Sequence, residues 1–183
     1  MILFINAAFR SNSRTLRLAE AYLKKCEGEV CKVDLGTAVV RPLDGQSLVV
    51  YNQSVAAHRF DDPMFDFSKQ FAEADQIVIA APFWNFSIPA VLHGYLELVC
   101  TQGITFDLSP EGSYYSKCKA KKLTYITTSG GFIPQEDHAF GYIRSLAEMF
   151  WNNPDVQYIK AEGLDIYGAD VDRKLAEAME KAE

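Results

Sequence analysis

Residues 77–89, with the sequence IVIAAPFWNFSIP, decide the fold. They consist of a short apolar run and the loop that follows it. Residues 77–81 are apolar at every position, which is typical of a parallel strand buried on both faces. Between 88 and 101 apolar residues recur at helical spacing, with Ser87 as the expected N-cap and Pro89 in the first turn. The stretch therefore predicts a buried strand, an aromatic loop and a largely buried helix.

The same succession of strand and helix extends along the chain. Strands are predicted at residues 2–8, 30–35, 77–81, 122–128 and 156–161, and helices around 16–23, 67–74, 138–151 and 169–182. Strands that alternate with helices predict an α/β fold with a doubly wound five-stranded parallel sheet, in the order 2-1-3-4-5. Ligands of such sheets bind at the carboxyl ends of the strands, so a site is expected just after residues 8, 81 and 128.

Two segments have a weaker pattern. Residues 36–63 mix polar and apolar residues with Gly and Pro, and we interpret them as a partly helical excursion that leads into the helix before the third strand. Residues 103–121 are predicted to form a long loop, which in a compact domain favours a binding element.

Length and charge limit the classes of protein to consider. The 183 residues predict one domain over 1–183. The 18 basic and 24 acidic residues give a net charge of −6, which disfavours nucleic-acid binding and a role on anionic membranes. The apolar run at residues 1–5 is too short for a signal or a membrane span. We therefore expect a cytoplasmic protein without membrane insertion.

Cysteine spacing indicates neither a metal site nor a disulfide framework. The cysteines are Cys26, Cys31, Cys100 and Cys118. They form no CxxC pair and no zinc-like spacing with histidine, so we expect no metal and reduced thiols. Cys100 and Cys118 are interpreted as packed thiols, and His58 and His93 as structural or surface groups.

A polar loop follows the first strand, and residues 9–15 read FRSNSRT. Its hydroxyl and guanidinium groups suit a phosphate, because the first N–H groups of a helix lack partners and lie at the positive end of its dipole. Alternatively, Ser13 only caps the helix and both arginines face solvent. Neither GxGxxG nor GxxxxGK[ST] occurs, so the sequence carries no dinucleotide fingerprint and no P-loop.

Aromatic residues dominate the loop after the third strand. Phe83, Trp84 and Phe86 offer flat apolar walls, and the loop also supplies Asn85 and backbone donors. This combination suits a planar heteroaromatic ring, although ordinary core packing would use the same residues.

Two glycines follow the fourth strand, where residues 127–131 read TTSGG. Gly130 and Gly131 would let the backbone approach a ligand and present successive N–H groups, although a tight turn would also use them. Because all three loops follow strands of one parallel sheet, together they favour a single ligand site.

On these residues the chain resembles the flavodoxin-like NAD(P)H:quinone oxidoreductase and FMN-dependent NADH-azoreductase family. The resemblance covers nearly the whole chain. It rests on residues 11–15 (SNSRT), 80–86 (AAPFWNF), 103–106 (GITF), 128–131 (TSGG) and 161–163 (AEG).

The resemblance implies a flavodoxin-like sheet and a bound FMN. Its phosphate would accept hydrogen bonds from the hydroxyl groups of Ser11, Ser13 and Thr15, with Arg14 as a charge partner. The remaining cofactor-binding residues would be Pro82, Phe83, Trp84, Asn85, Phe86, Thr128, Ser129, Gly130 and Gly131.

Four backbone N–H groups would form the catalytic set. The resemblance implies that those of Asn85 and Phe86 face flavin N5 and O4, and that those of Gly130 and Gly131 face the N1/O2 edge. Donors at that edge favour the reduced flavin, which carries negative charge there.

The resemblance also implies an activity and a partner. NADH or NADPH would transfer a hydride to the flavin and leave, and a quinone, azo or nitroaromatic acceptor would then bind in its place, in a two-electron ping-pong reaction. The family implies a homodimer with the site at the interface, walled in part by Phe106, Tyr114 and Tyr115. The chain has Ile133 where many azoreductases have a histidine, and His138 is a substitute at a different spacing.

Two alternatives remain at this point. A flavodoxin-type carrier would bind FMN but transfer single electrons to protein partners, whereas this chain has arginines in a glycine-free phosphate loop. A flavin-free binding domain of the same fold would use residues 83–86 only to close its core.

Overall fold

The computed structural model describes residues 1–152 and 156–181. Its strands are β1 Ile2–Asn6, β2 Val30–Asp34, β3 Gln76–Ala80, β4 Phe106–Leu108, β5 Tyr114–Ser116, β6 Lys122–Thr128 and β7 Val156–Ala161. The main sheet has five parallel strands in the order β2-β1-β3-β6-β7. Counted within that sheet, this is the order 2-1-3-4-5, so the predicted doubly wound fold is confirmed.

Helices cover both faces of the sheet. They are α1 Arg14–Leu23, α2 Gly45–Ala56, α3 Asp66–Glu73, α4 Ala90–Val99, α5 His138–Phe150 and α6 Val171–Glu180, with a short 3-10 helix at Pro63–Phe65. Leu3 and Ile5 of β1 pack in a core that includes residues of α3, α4 and α5, whereas Ile2 and Phe4 pack with residues of α1 and α6. Because both faces are covered, the strand is apolar at every position until Asn6.

β1 ends two residues earlier than predicted, and Asn6 explains why. Its side-chain oxygen accepts a hydrogen bond from the N–H of Ala8 at 3.1 Å, while its amide donates to Asp34 at 3.2 Å. The hydrogen bonds from Lys32 and then Asn6 hold the pKa of the Asp34 carboxyl below its ordinary value. Asn6 thus turns the chain out of the sheet towards the loop at 9–13.

The excursion at 36–63 contains a helix, as predicted, and α2 is a surface helix. The Asp44 side chain accepts hydrogen bonds from the N–H groups of Gln46 and Ser47, and the Ser47 hydroxyl accepts one from the backbone N–H of Asp44, which completes a capping box. None of its residues is buried.

Two local predictions are wrong. Residues 103–121 are not a loop throughout, because β4 and β5 pair as an antiparallel hairpin with Asp107 opposite Tyr115. Ser87 does not cap α4; Pro89 occupies the N-cap position, and the Ser87 hydroxyl instead lies 3.3 Å from Nε2 of His93.

The described part of the chain contains neither a candidate metal cluster nor a helix that could span a membrane. In residues 1–152 and 156–181, no group of three or more His, Cys, Asp or Glu side chains could hold a metal ion. Within the same ranges, no helix combines the length and the apolar character that crossing a bilayer requires.

Candidate functional site

A cavity of about 400 Å³ lies at the carboxyl ends of β1, β3 and β6. The three loops predicted to form the site all contribute to it, together with the segment after β7. Its lining consists of Ala8, Phe9, Arg10, Asn12, Ser13, Arg14, Thr15, Pro82, Phe83, Trp84, Thr128, Ser129, Gly130, Leu164 and Asp165. The cavity therefore lies where the sheet order predicts a ligand site.

The N-terminus of α1 opens into this cavity with unpartnered donors. Ser13 is the N-cap, and its Oγ accepts a hydrogen bond from the N–H of Leu16 at 3.2 Å. In the part of the chain that the structure describes, the N–H groups of Asn12, Arg14 and Thr15 have no hydrogen-bond acceptor. The Ser13 hydroxyl can cap the helix and still donate its proton, so the two interpretations of Ser13 are compatible.

Thr15 and Thr128 join the first loop to the end of β6. Their Oγ1 atoms lie 2.6 Å apart, and the two residues are only 1% and 8% exposed. One hydroxyl donates to the other, which leaves one proton for a further acceptor.

The loop after β3 is a two-residue hairpin turn. Trp84 and Ser87 exchange two backbone hydrogen bonds of 2.9 Å, and between them Asn85 and Phe86 have φ of 49° and 63°. Positive φ at both central residues is the signature of a type I′ turn, which is strained for a phenylalanine. No described group accepts a hydrogen bond from the N–H of Asn85 or Phe86.

Aromatic side chains form the wall of the cavity beside this turn. Trp84 is 38% exposed, and the guanidinium of Arg10 lies 5.7 Å from the centre of its ring. The backbone N–H of Phe83 donates to the carbonyl of Thr128 at 3.0 Å, which ties the aromatic loop to β6. The wall is thus anchored to the sheet.

Backbone hydrogen bonds connect the glycine loop to the segment after β7. The N–H of Leu164 donates to Ser129 at 3.1 Å, and that of Asp165 donates to Gly130 at 2.9 Å. Over residues 1–152 and 156–181, the N–H groups of Gly130 and Gly131 find no acceptor. These two donors are therefore available to a ligand.

The two glycines have different structural roles. A Cβ on Gly130 would lie 2.1 Å from an oxygen of the Asp165 carboxylate, whereas a Cβ on Gly131 would have no heavy atom within 4 Å. The close approach predicted at Gly130 is therefore made by Asp165 of the same chain.

Asp165 also forms an ion pair across the cavity. Its Oδ1 lies 2.6 Å from Nη1 of Arg14, and its side chain is 70% exposed. Sequence reasoning missed this residue and Leu164. The signal was available, because both follow the fifth strand of the sheet, whose carboxyl end lies at the same edge.

Other predicted residues lie beside the cavity or away from it. Ser11, Asn85, Phe86 and Gly131 do not line it, although Asn85 and Phe86 continue directly from Trp84. His138 is the first residue of α5 and lies outside the cavity lining.

The candidate dimer residues differ in exposure. Phe106 is only 9% exposed, and its ring packs on that of Phe150 at 4.4 Å between ring centres. Its ring is therefore part of the interior of its own chain. Tyr114 and Tyr115 are half exposed. Ile133, at the position that the family often gives to histidine, is buried and its N–H donates to Glu162 at 2.9 Å.

The thiols near α4 have no reactive character. Burial raises the pKa of Cys100 to about 12 and that of Cys118 to about 12. His93 contacts Ser87, and its ring packs in a tilted arrangement against Tyr142 at 4.8 Å between ring centres, in keeping with a structural group.

Comparison with known proteins gives matches over the whole chain. A sequence model of the flavodoxin-like fold family matches residues 1–183. An FMN-dependent NADH:quinone oxidoreductase of Coprothermobacter proteolyticus is 32% identical over 193 residues, which cover 100% of this chain and 96% of that protein. FMN-dependent NADH:quinone oxidoreductase 2 of Clostridium acetobutylicum is 33% identical over 187 residues, with coverage of 97% and 92%.

A similar solved structure agrees in fold. The azoreductase from Bacillus anthracis str. Sterne superposes with a TM-score of 0.83 at 23% identity, over 99% of this chain and 95% of that chain. This likeness agrees with the sheet order in showing the fold, and the full-length sequence matches confirm the resemblance stated from the sequence. The chain belongs to the flavodoxin-like NAD(P)H:quinone oxidoreductase and FMN-dependent azoreductase family.

Proposed function

We propose that this protein is an FMN-dependent NAD(P)H oxidoreductase that reduces quinones, azo compounds or related flat acceptors by a two-electron ping-pong mechanism. One observation carries the proposal: the loops after β1, β3 and β6 line one cavity, which combines unpartnered N–H groups at the N-terminus of α1 and at Gly130 with an aromatic wall. The names of the two quinone oxidoreductase relatives and of the similar azoreductase structure support the same reaction class.

The N-terminus of α1 fits the phosphate of FMN. The N–H groups of Asn12, Arg14 and Thr15, the hydroxyl of Ser13 and the positive end of the helix dipole together suit an anion. The guanidinium of Arg14 lines the same cavity and adds a positive charge. Ser11 precedes these residues and would contribute its hydroxyl only from the rim.

The aromatic loop and the glycine loop fit the ring of FMN. Pro82, Phe83 and Trp84 offer an apolar face that excludes water from one side of a flat ring. Thr128, Ser129 and Gly130 line the cavity from β6. Together these loops would hold the ring at the edge of the sheet.

Bound FMN would supply the hydride chemistry, accepting a hydride from NADH or NADPH and passing it to the acceptor. The chain itself supplies fixed N–H donors at Asn85, Phe86, Gly130 and Gly131, and these would stabilise negative charge at the ring edges. The strained type I′ turn holds the first two donors in place without a regular strand or helix.

The assembly and location are part of the proposal. We infer one domain over 1–183 and a cytoplasmic homodimer that walls the site from both subunits. The half-exposed Tyr114 and Tyr115, and the exposed Leu48, Val49 and Val50 of α2, support an apolar interface between copies. The free thiols of all four cysteines are consistent with a reducing compartment.

Steady-state kinetics test this function. Protein loaded with FMN is assayed anaerobically with NADH or NADPH against benzoquinone and a soluble azo dye, over a grid of both concentrations. Parallel lines in double-reciprocal plots are expected, because one cavity serves both substrates in turn. Failure to oxidise either nicotinamide would contradict the enzyme assignment and favour a carrier or a binding domain, while intersecting lines would contradict the ping-pong order.

A further inference from the structure

The Asp165 carboxylate lies between the α1 N-terminus and the glycine loop. One oxygen pairs with Arg14 at 2.6 Å, and the other lies where a Cβ on Gly130 would be only 2.1 Å away. The Asp165 backbone is fixed by its hydrogen bond to Gly130 at 2.9 Å. A negative charge is thus held at the cavity edge that offers unpartnered donors to an anion.

This carboxylate changes the charge balance of the cavity. The charged side chains in its lining are Arg10, Arg14 and Asp165, and Arg10 lies over the Trp84 ring rather than at the helix N-terminus. Arg14 is therefore the cation adjacent to the α1 donors, and Asp165 engages it directly. A phosphate at α1 would have to share Arg14 with this carboxylate and would be repelled by it.

We propose that Asp165 limits the affinity of the site for phosphorylated flavin, by competing with the FMN phosphate for Arg14, and so keeps the flavin exchangeable. The inference rests on the proposed function and assigns a specificity-determining role to a residue outside the three sequence-predicted loops. Riboflavin has the same ring but no phosphate, so Asp165 affects its binding little. The residue therefore sets how strongly the site prefers FMN to riboflavin.

The size of the effect follows from Coulomb's law. A carboxylate a few ångströms from a phosphate dianion in a largely solvated setting weakens binding by about tenfold at low ionic strength, and less as salt screens the charges. A buried pair would give a larger effect, but the Asp165 side chain is 70% exposed.

The test compares dissociation constants for FMN and riboflavin, measured by quenching of flavin fluorescence at low and at physiological ionic strength. Asp165→Asn keeps the size of the side chain and removes its charge. We expect it to tighten FMN binding about tenfold at low salt and to change riboflavin binding less than about twofold.

A second ion pair between an α1 arginine and an aspartate provides a matched control. Arg17 of α1 pairs with Asp172 at 2.6 Å, outside the cavity lining. Asp172→Asn removes the same charge from the chain, so it should change neither constant more than about twofold. A tightening of FMN binding in this variant as large as that in Asp165→Asn would assign the effect to net charge and contradict the proposal.

A double-mutant cycle with Arg14→Ala isolates the competition. In the wild type the Arg14 guanidinium is already paired with the Asp165 carboxylate. Arg14→Ala should therefore weaken FMN binding less in the wild type than in the Asp165→Asn background. Equal effects in both backgrounds, or an unchanged ratio of FMN to riboflavin affinity in Asp165→Asn, would overturn this inference but leave the proposed function standing. Wild-type protein and variants that all fail to bind FMN would overturn the proposed function as well.

Discussion

The side-chain oxygens of Thr15 and Thr128 lie 2.6 Å apart, although the two residues are 113 positions apart in the sequence. Thr15 is in the first turn of α1, and Thr128 is the last residue of β6. Their contact joins the loop proposed to hold the phosphate to the loop proposed to hold the ring edge. The pair thus couples two parts of one site through a buried hydrogen bond.

Replacing both threonines should cost less stability than the sum of the two single replacements. Thr15→Val or Thr128→Val leaves a buried hydroxyl without its partner, so each should lower the free energy of unfolding by about 1–2 kcal/mol. In the double variant the second substitution should cost about 1 kcal/mol less than it does alone. Urea unfolding of the four proteins measures this coupling; strictly additive losses would show that the pair contributes no direct interaction.

The φ of Phe86 is 63°, and this positive value predicts an unusual order of stability among proteins substituted at this position. A β-branched residue is disfavoured in this conformation and glycine adopts it freely, so Phe86→Val should be less stable than Phe86→Gly by about 1–2 kcal/mol. Phe132 is a suitable control, because it is 69% exposed and its φ is not positive. At that position valine should be at least as stable as glycine, and the same order at both positions would count against a strained turn.

Ser13 should affect stability and flavin binding together. It caps α1, so Ser13→Ala should lower the free energy of unfolding by about 1 kcal/mol, and it should also weaken FMN binding because a phosphate donor is lost. Asp44→Ala removes the cap of α2, away from the cavity, and should cost a similar amount of stability with no effect on FMN. If both variants weaken FMN equally, the loss reflects stability and the phosphate assignment of Ser13 fails.

The raised pKa values of Cys100 and Cys118 predict slow alkylation. Burial moves each pKa from 9.0 to about 12, which lowers the thiolate fraction at neutral pH by about a thousandfold. Labelling of these residues by iodoacetamide should be slow at pH 7.5 and should rise about tenfold per pH unit until the native fold is lost. Peptide mass spectrometry follows each site, with urea-unfolded protein as the reference. Rapid labelling of the native protein with loss of activity would indicate a thiol in the mechanism.

Strand-level features of the fold could be predicted because their causes are local. The central strands β1 and β3 are short runs of mostly apolar residues, and the sheet order follows from the general topology of alternating strands and helices. The aromatic loop at 82–86 was recognised for the same reason, since its residues are contiguous. The type I′ geometry was not foreseen, because Asn85-Phe86 lacks the glycine that usually marks such turns.

The missed features depend on contacts between distant segments. The place of Asp165 after the fifth strand of the sheet indicates the right edge, but its contacts with Arg14 and Gly130 are not revealed by any spacing in the sequence. The hairpin of β4 and β5 was missed because its strands have only three residues each, too few for an alternating pattern. The N-cap of α4 is Pro89 and not the predicted Ser87, because the backbone of Ser87 pairs with Trp84 to close the hairpin turn.

The most direct test of the account is a crystal structure of the protein bound to FMN. The account predicts a phosphate within hydrogen-bond distance of the N–H groups of Arg14 and Thr15, and a flavin ring against Trp84 and the backbone at Gly130. Density for the flavin elsewhere on the molecule, or Trp84 folded into the cavity in place of the ring, would contradict it.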